Sequence, residues 1–361
     1  MSVLINVQPL PEAKLPKPDI RKLGVPQLAE WLLSHGFKAF HAKQIYKWLW
    51  QRSLKDFSEM TDLSLALRNA LEAHFGFYPL SVQEVQKSQD GTLKVGFSLY
   101  DRNLVEGVLI PTEDRMTACI SSQVGCSLSC KFCATGFMDK KRNLTAPEIY
   151  DQVFEINQQA LKNYQARLTN IVYMGMGEPL LNYQNVLSSI EKITSPDGLG
   201  MSPKRITVST AGIAKMIYKL ADDQVKFNLA LSLHAADDEK RNKIMPINDS
   251  NSLEALKEAL RYFYRQTQNR ITLEYILFGN FNDSPQDADN LFRFSQSLAT
   301  RINIIEYNPV ELAPQFQRAS GRVLNQFAAY LADRGAIVTV RKSRGMDIDA
   351  ACGQLANKNK V

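Results

Sequence analysis

Long apolar stretches are missing from this sequence. No run approaches the roughly 18 residues needed to cross a bilayer, and Met1 to Asp19 hold no apolar core of a secretory signal. A cytoplasmic protein with no membrane partner is therefore expected. Histidine and cysteine are scarce, at four and five in 361 residues, while hydrophobic residues make up 45% and charged ones 22%, near the globular average. Disordered, fibrous and collagenous classes are excluded. Charge of one sign is also lacking: 43 Lys and Arg against 37 Asp and Glu leave +6, too small an excess to identify a polyanionic partner by itself.

What cysteine there is lies in two places. Cys119, Cys126, Cys130 and Cys133 crowd one segment, and Cys352 stands alone near the end, an odd total that argues against a disulfide scaffold and for ligands or reactive thiols. Basic residues flank both places. Lys131, Lys140, Lys141 and Arg142 surround the first, and Arg334, Arg341, Lys342 and Arg344 precede the second. Lys131, Arg142, Arg341, Lys342 and Arg344 are the candidate phosphate contacts, against the plainer reading of a solvated basic face.

The chain changes rhythm along its length. From Arg21 to Leu71 apolar residues recur at helical spacing, as in Leu28, Trp31, Leu32 and Ile45, Trp48, Leu49, which predicts a small helical accessory domain over residues 1–75. His41, Trp48 and Trp50 could stack on a base there, although aromatic residues at this spacing more often serve a core. Residues 76–111 read as connecting strands. Strand and helix then alternate, with strands expected at Ala118 to Ser122, Asn170 to Met174, Ile206 to Ser209, Phe227 to Leu233, Ile271 to Phe278 and Ile302 to Tyr307, and a further one at Ile337 to Arg341. This predicts an α/β fold, a partial (β/α)6 barrel over 112–345, followed by a tail over 346–361. Gly175 to Pro179, Ser209 to Gly212, Ser232 to Ala235 and Asn308 to Pro309 each follow a strand, where barrel chemistry gathers.

The densest signal is Cys126-Ser-Leu-Ser-Cys130-Lys-Phe-Cys133. A structural zinc site closes with four protein ligands, and no second Cys or His pair lies nearby, so zinc is the second choice of metal. An iron-sulfur cube held by three thiolates keeps one iron open for a small molecule. This spacing, with an aromatic residue before the third cysteine, resembles the radical S-adenosylmethionine enzymes, as does Met174-Gly175-Met176-Gly177-Glu178-Pro179. The front segment Cys119-Ile-Ser-Ser-Gln-Val-Gly-Cys126 and the tail Asp347-Ile-Asp349-Ala-Ala-Cys352-Gly-Gln-Leu355 resemble the RlmN and Cfr methyltransferases, a likeness that spans nearly the whole chain.

The resemblance implies one 4Fe-4S cluster on Cys126, Cys130 and Cys133, exchangeable S-adenosylmethionine, and methylation of adenosine in 23S rRNA and tRNA, using two molecules of cosubstrate per methyl group. It further implies that Cys352 carries the methyl group, that Cys119 resolves the covalent RNA intermediate through a transient disulfide, and that Glu106 accepts the ring proton. From the residues alone, an ordinary exposed strand carboxylate remains the alternative for Glu106. Gly177, Glu178, Ser209, Ser232, Leu233, His234 and Asn308 match the family's cosubstrate contacts, though Ser and Asn at strand ends also cap turns. An external, flavodoxin-like electron donor and a monomeric state complete the expectation. Cfr-type methylation at C8 is the alternative to C2, which the helical N-terminal region and Arg341-Lys342-Ser343-Arg344-Gly345 favour, although Met346 stands where an acidic residue is expected. From a different class, the chain could be an iron-sulfur RNA-binding redox sensor with a regulatory Cys119–Cys352 pair.

Overall fold

The computed structural model describes residues 16–51, 54, 56–296 and 298–357; residues 1–15 and 358–361 of the predicted terminal segments lie outside it. Three helices open the described chain: α1 (Val25–Ser34), α2 (His41–Gln51) and α3 (Leu65–His74). Helix α1 starts where Gln27 Oε1 accepts from Gly24 N and Pro26 occupies the first turn. Ser64 caps α3 by accepting from Leu67 N. Their apolar faces meet around Leu28, Leu32, Ile45, Leu49, Leu67 and Leu71, all buried.

Of the aromatic residues suggested for base stacking, Trp50 is buried edge-on against Tyr150, and the Trp48 indole N–H donates to Asp62. Trp50 is core rather than a platform, because its helix docks on the next domain through that face. His41 is half-buried, with Nδ1 2.7 Å from Gln44 Oε1.

Strands β1 (Ser81–Lys87), β2 (Leu93–Ser98) and β3 (Leu104–Pro111) form an antiparallel meander, and β3 pairs antiparallel with β4 (Met116–Cys119). These strands, which fall within the connecting segment expected over 76–111, form one flank of a ten-stranded sheet. A short ribbon follows, β5 (Gln123–Val124) against β6 (Arg142–Asn143). The crossover helices are α4 (Ala146–Tyr164), α5 (Tyr183–Thr194), α6 (Ala214–Asp222), α7 (Asp238–Ile244) with α8 (Leu253–Thr267), α9 (Pro285–Gln296) and α10 (Gly321–Asp333). They alternate with β7 (Asn170–Tyr173), β8 (Ile206–Thr210), β9 (Asn228–Ser232), β10 (Ile271–Leu277), β11 (Thr300–Glu306) and β12 (Val338–Arg341).

Strands β4 and β7 through β12 pair in parallel, in sequence order, and the sheet is an open line with β1 and β12 at its ends. That is the predicted partial barrel, six strand–helix units and a last strand. Strand β10 is buried at six of its seven positions, as expected where helices cover one face and a packed interior the other. Every parallel strand delivers its C-terminal end to the same side, so the loops that follow share one mouth.

Candidate active site

The three-cysteine loop is fixed first at its base. Strands β5 and β6 pinch residues 125–141 into a closed loop, with Val124 opposite Arg142. Gly136 packs so closely that a Cβ would lie 2.5 Å from Cys130 O, so a side chain there would force the loop open. Cys126, Cys130 and Cys133 are unpaired and rest on an apolar bed of Leu128, Phe132, Met245, Ile276 and Phe278. Burial pushes the Cys126 thiol up to about 12, and Cys130 rises further from burial and from its two neighbouring thiols. A group that binds thiolates therefore has to supply positive charge. Among the described residues no three His, Cys, Asp or Glu side chains are grouped to hold a single metal ion.

Arg142 does not face RNA. It is 7% exposed, with Nε 2.6 Å from Asp101 Oδ2 and its two terminal nitrogens 2.8 and 2.9 Å from the oxygens of Glu148. Glu148 also completes the capping box of α4 with Thr145. The guanidinium is consumed in tying the base of the cysteine loop to α4 and the β2–β3 turn, which corrects its assignment as a phosphate contact.

The Gly-rich turn after β7 lies beside this loop. Gly177 has φ +93°, and a Cβ there would lie 2.4 Å from Gln123, so the position requires glycine. Glu178 is 3% exposed; Oε2 accepts from Ala211 N at 2.8 Å and Oε1 from Leu180 N at 3.1 Å. Burial raises its carboxyl to about 7, partly offset by those N–H donors. Among the described residues no salt bridge to it is formed.

His234 follows β9 with φ +56° and is 5% exposed. Its Nδ1 accepts from Ile276 N at 3.1 Å, which fixes the proton on Nε2, and its ring meets Phe132 edge-on at 4.9 Å. Burial, then repulsion from Arg241, lowers it to about 3. Ser209 and Ser232 place their hydroxyls 3.2 Å apart. Leu233 is buried behind them and does not line the cavity; its N–H donates to Glu274 O at 3.0 Å. Asn308 is 3% exposed and donates from Nδ2 to Cys352 O at 3.2 Å, while its Oδ1 is buried without a hydrogen-bond donor.

One cavity at the strand C-terminal ends unites most of these residues. Cys126, Cys130 and Cys133 line it together with Gly177, Glu178, Ser209, Ser232 and His234, and so do Cys119, Cys352 and Arg341. Cys119 ends β4, and burial pushes its thiol up to about 12, Cys352 adding to the rise and Arg341 opposing it. Cys352 is an exposed residue of the cavity lining, and desolvation of its thiol pushes it up to about 11, again with Arg341 opposing. Arg341 is thus an active-site cation near both thiols, beyond its expected role at the surface.

Glu106 is not exposed. It is 6% accessible on β3, with Lys94 Nζ at 3.6 Å, and lies just outside the cavity lining. Its Oε2 accepts from Ala356 N at 3.0 Å and Asn357 N at 3.2 Å, so the tail's last described residues cover it. Lys131 and Lys342 remain exposed, while Arg344 donates to Asp90 O at 3.2 Å in the β1–β2 turn.

Sequence reasoning missed Arg241. Fully buried, it bonds from Nε to Leu233 O at 3.0 Å and from Nη1 to Asn248 Oδ1 at 2.6 Å, and Nη2 reaches Ala211 O and Ser232 O at 2.5 and 3.2 Å. It braces two pocket loops. Only its place in a charged heptapeptide helix, α7, was visible in sequence, and that pattern reads as surface.

The donor set fits an open iron-sulfur cluster with an amino-acid cosubstrate: three thiols in one loop and a buried carboxylate without a cation, both in the cavity lining, whereas Asn308 lies outside that lining. The barrel and this site define a radical S-adenosylmethionine enzyme, whose cofactors are a 4Fe-4S cluster and S-adenosylmethionine. The radical SAM superfamily model matches residues 120–292, and the model of the ribosomal RNA large subunit methyltransferase N-terminal domain matches residues 19–76. Among curated relatives, the probable dual-specificity RNA methyltransferase RlmN of Cytophaga hutchinsonii is 57% identical over 96% of this chain and 94% of its own. The dual-specificity RNA methyltransferase RlmN of Geobacter sulfurreducens is 44% identical over 94% and 92%. A crystal structure of a radical SAM methyltransferase from Sphaerobacter thermophilus superposes with TM-score 0.88 at 38% identity, covering 94% of this chain and 99% of that one. The chain belongs to the RlmN family of dual-specificity RNA methyltransferases.

Proposed function

We propose that this enzyme methylates C2 of adenosine in 23S rRNA and in tRNA, by way of a methyl group carried on Cys352. The observation that carries the reading is the meeting of two unpaired thiols, Cys119 from a strand end and Cys352 from the tail, in the cavity that holds the three cluster thiols. A ring carbon flanked by two nitrogens is electron-poor and does not attack a sulfonium methyl. A cysteine thiolate does. The bound cluster and cosubstrate supply the methyl group, an electron and the hydrogen-abstracting radical.

The chain's own residues do the rest. Cys126, Cys130 and Cys133 hold the cluster. Glu178 would hold the cosubstrate ammonium, whose positive charge would favour its ionised carboxylate, and Ser209, Ser232 and His234 of the cavity lining, with Asn308 beyond it, would hold the nucleoside part. Neutral His234 donates from Nε2 only. Cys352 takes the methyl group; once that group has given up one hydrogen atom its carbon bonds to C2, and the ring gives up one electron, for which the bound cluster would be the acceptor, together with its proton. Glu106 removes the ring proton once Ala356 and Asn357 leave its carboxylate. Cys119 then attacks the Cys352 sulfur: a sulfur–sulfur bond forms, the sulfur–carbon bond breaks, and its electron pair departs with the carbon, which gains a proton to become methyl. The two-electron oxidation of the thiols is later reversed by an external reductant.

In this reading the protein is a cytoplasmic monomer that draws electrons from an external donor, touches RNA phosphates through Lys131, Lys342 and Arg344, and uses residues 1–75 as an accessory RNA-contacting domain. Anaerobic reconstitution with iron and sulfide, followed by turnover with reductant, deuteromethyl cosubstrate and either RNA, tests it by nucleoside mass spectrometry. Labelled 2-methyladenosine is expected. Label at C8 would make the enzyme Cfr-type, and cluster binding without either methylated adenosine or 5'-deoxyadenosine would favour a redox sensor.

A further inference from the structure

One buried carboxylate in the cavity has no part in this scheme. Glu274 sits in the middle of β10, paired in register with Ser232 of β9 and Glu274 with Asn303 of β11, and it is 4% exposed. Its Oε1 accepts from Asn303 Nδ2 at 2.8 Å. Its Oε2 is buried without a hydrogen-bond donor. The nearest cation is Arg341 at the end of β12, whose Nη1 lies 3.8 Å from Oε2, an ion pair beyond hydrogen-bond reach, and whose side chain is 37% exposed. Both residues line the cavity, where Arg341 is the only Arg or Lys among the described lining residues.

A carboxylate oxygen left bare inside a barrel is costly, because desolvation is not repaid by a hydrogen bond. Burial raises the Glu274 carboxyl, and Arg341 offsets this only in part. The arrangement leaves an acceptor and a donor side by side on two residues of the cavity lining. Two thiols, Cys119 and Cys352, line the same cavity. The pair is therefore on the reacting side of the cavity.

We propose that Glu274 and Arg341 read the Watson–Crick edge of the target adenine, the Glu274 carboxylate accepting from the N6 amino group and the Arg341 guanidinium donating to N1. Adenine offers a donor beside an acceptor, complementary to this pair. Guanine offers the reverse, setting its O6 against the carboxylate and its N1–H against the guanidinium. The orientation also selects the carbon. C2 is bonded to N1, so an adenine held by N1 and N6 brings C2 toward the thiols, whereas C8 lies on the far side of the purine. The inference rests on adenosine being the substrate, as proposed above, and deepens it by naming what recognises the base. The cosubstrate has an adenine of its own, so the test separates the two.

The test uses the reconstituted enzyme and a synthetic 23S rRNA fragment in which the modified adenosine is replaced by purine riboside, lacking the N6 amino group, or by 1-deazaadenosine, lacking the N1 acceptor. Each replacement is expected to weaken equilibrium binding to wild type and lower kcat/KM by roughly 10- to 100-fold, the range of a good base contact. In Glu274→Leu, which removes the acceptor, the penalty for losing N6 is expected to shrink toward onefold, and in Arg341→Met the penalty for losing N1. Equal binding of all three RNAs by wild type overturns the proposal, with no variant needed. So does a Glu274→Leu or Arg341→Met enzyme that folds and keeps the full penalty, or one whose main defect is cosubstrate affinity measured without RNA, which would give the pair to the cosubstrate. Absence of methylation with the natural adenosine RNA would instead count against the proposed function, while the binding comparison would still decide the base-reading pair.

Discussion

The cosubstrate pocket and the Cys352 tail meet in one cavity but are held in different ways. The pocket is built from strand ends whose positions the parallel sheet dictates, and Arg241 locks two of its loops from inside with four hydrogen bonds. The tail is pinned by polar contacts along its flanks. Asp347 accepts from Ser88 Oγ at 2.6 Å and Gln89 N at 3.0 Å, and Gly345 N donates to Asp90 Oδ2 at 2.8 Å. Beyond Cys352, Gly353 O accepts from Ala134 N at 2.7 Å, Leu355 O from Thr135 Oγ1 at 2.6 Å, and Glu106 takes two backbone N–H groups. A pocket that must hold a cosubstrate in one geometry is braced by the core. A thiol that meets first a sulfonium, then a base, then Cys119 is carried on a strap whose attachments can be exchanged.

Changes that break one region and spare the other sharpen this contrast. The largest effect is expected from Cys352→Ala, which should abolish RNA methylation while leaving iron content and cosubstrate binding at wild-type levels; loss of the cluster would tie the tail to the pocket. Arg142→Ala should destabilise the fold by about 3–5 kcal/mol, because it strands the buried carboxylates of Asp101 and Glu148. Thermal denaturation measures this, and the salt dependence of RNA binding should not change, whereas a lost phosphate contact would lower that slope by about one.

His234 gives the pocket a pH signature. Its folded value is about 3 against an ordinary 6.5, so its contribution is intact above 6.5 and is lost as pH falls from 6.5 toward 3, where the unfolded chain binds the proton and the folded one does not. By pH 4 this amounts to about 2–3 kcal/mol. His234→Asn should flatten that part of the stability profile, and an unaltered acid limb would show that the ring is protonated in place. The smallest change is expected on the strap. Ser88→Ala with Asp347→Asn should cost no more than about 1–2 kcal/mol, yet slow methyl transfer to Cys352 while sparing cosubstrate affinity, measured by peptide mass spectrometry and equilibrium binding.

Much of the pocket was legible in the sequence, because strands buried on both faces appear as apolar runs and the polar motifs follow them directly. The runs before Gly175, Thr210, His234 and Asn308 end within a residue or two of the observed strands. Motif spacing placed the three cluster thiols in one loop for the same reason, since ligands on one loop need no long-range pairing. The strap was not legible. Its contacts join Asp347 to Ser88 and Ala356 to Glu106 across some 250 residues, and no periodicity encodes them. Arg142 and Arg341 illustrate the same limit. Both sit in basic runs that suggest a solvated face, but one is buried against two carboxylates and the other turns into the cavity beside Glu274. Sequence shows that a cation is present, and only packing shows what it faces.

The account turns on Cys352 passing a carbon to RNA and Cys119 releasing it, and the most direct measurement is denaturing electrophoresis of Cys119→Ala enzyme after anaerobic turnover with labelled RNA. A covalent protein–RNA species should accumulate, with the crosslink mapped to Cys352, and it should be absent from the Cys119→Ala, Cys352→Ala double variant. Free methylated RNA released by Cys119→Ala at the wild-type rate, with no adduct, would contradict the account.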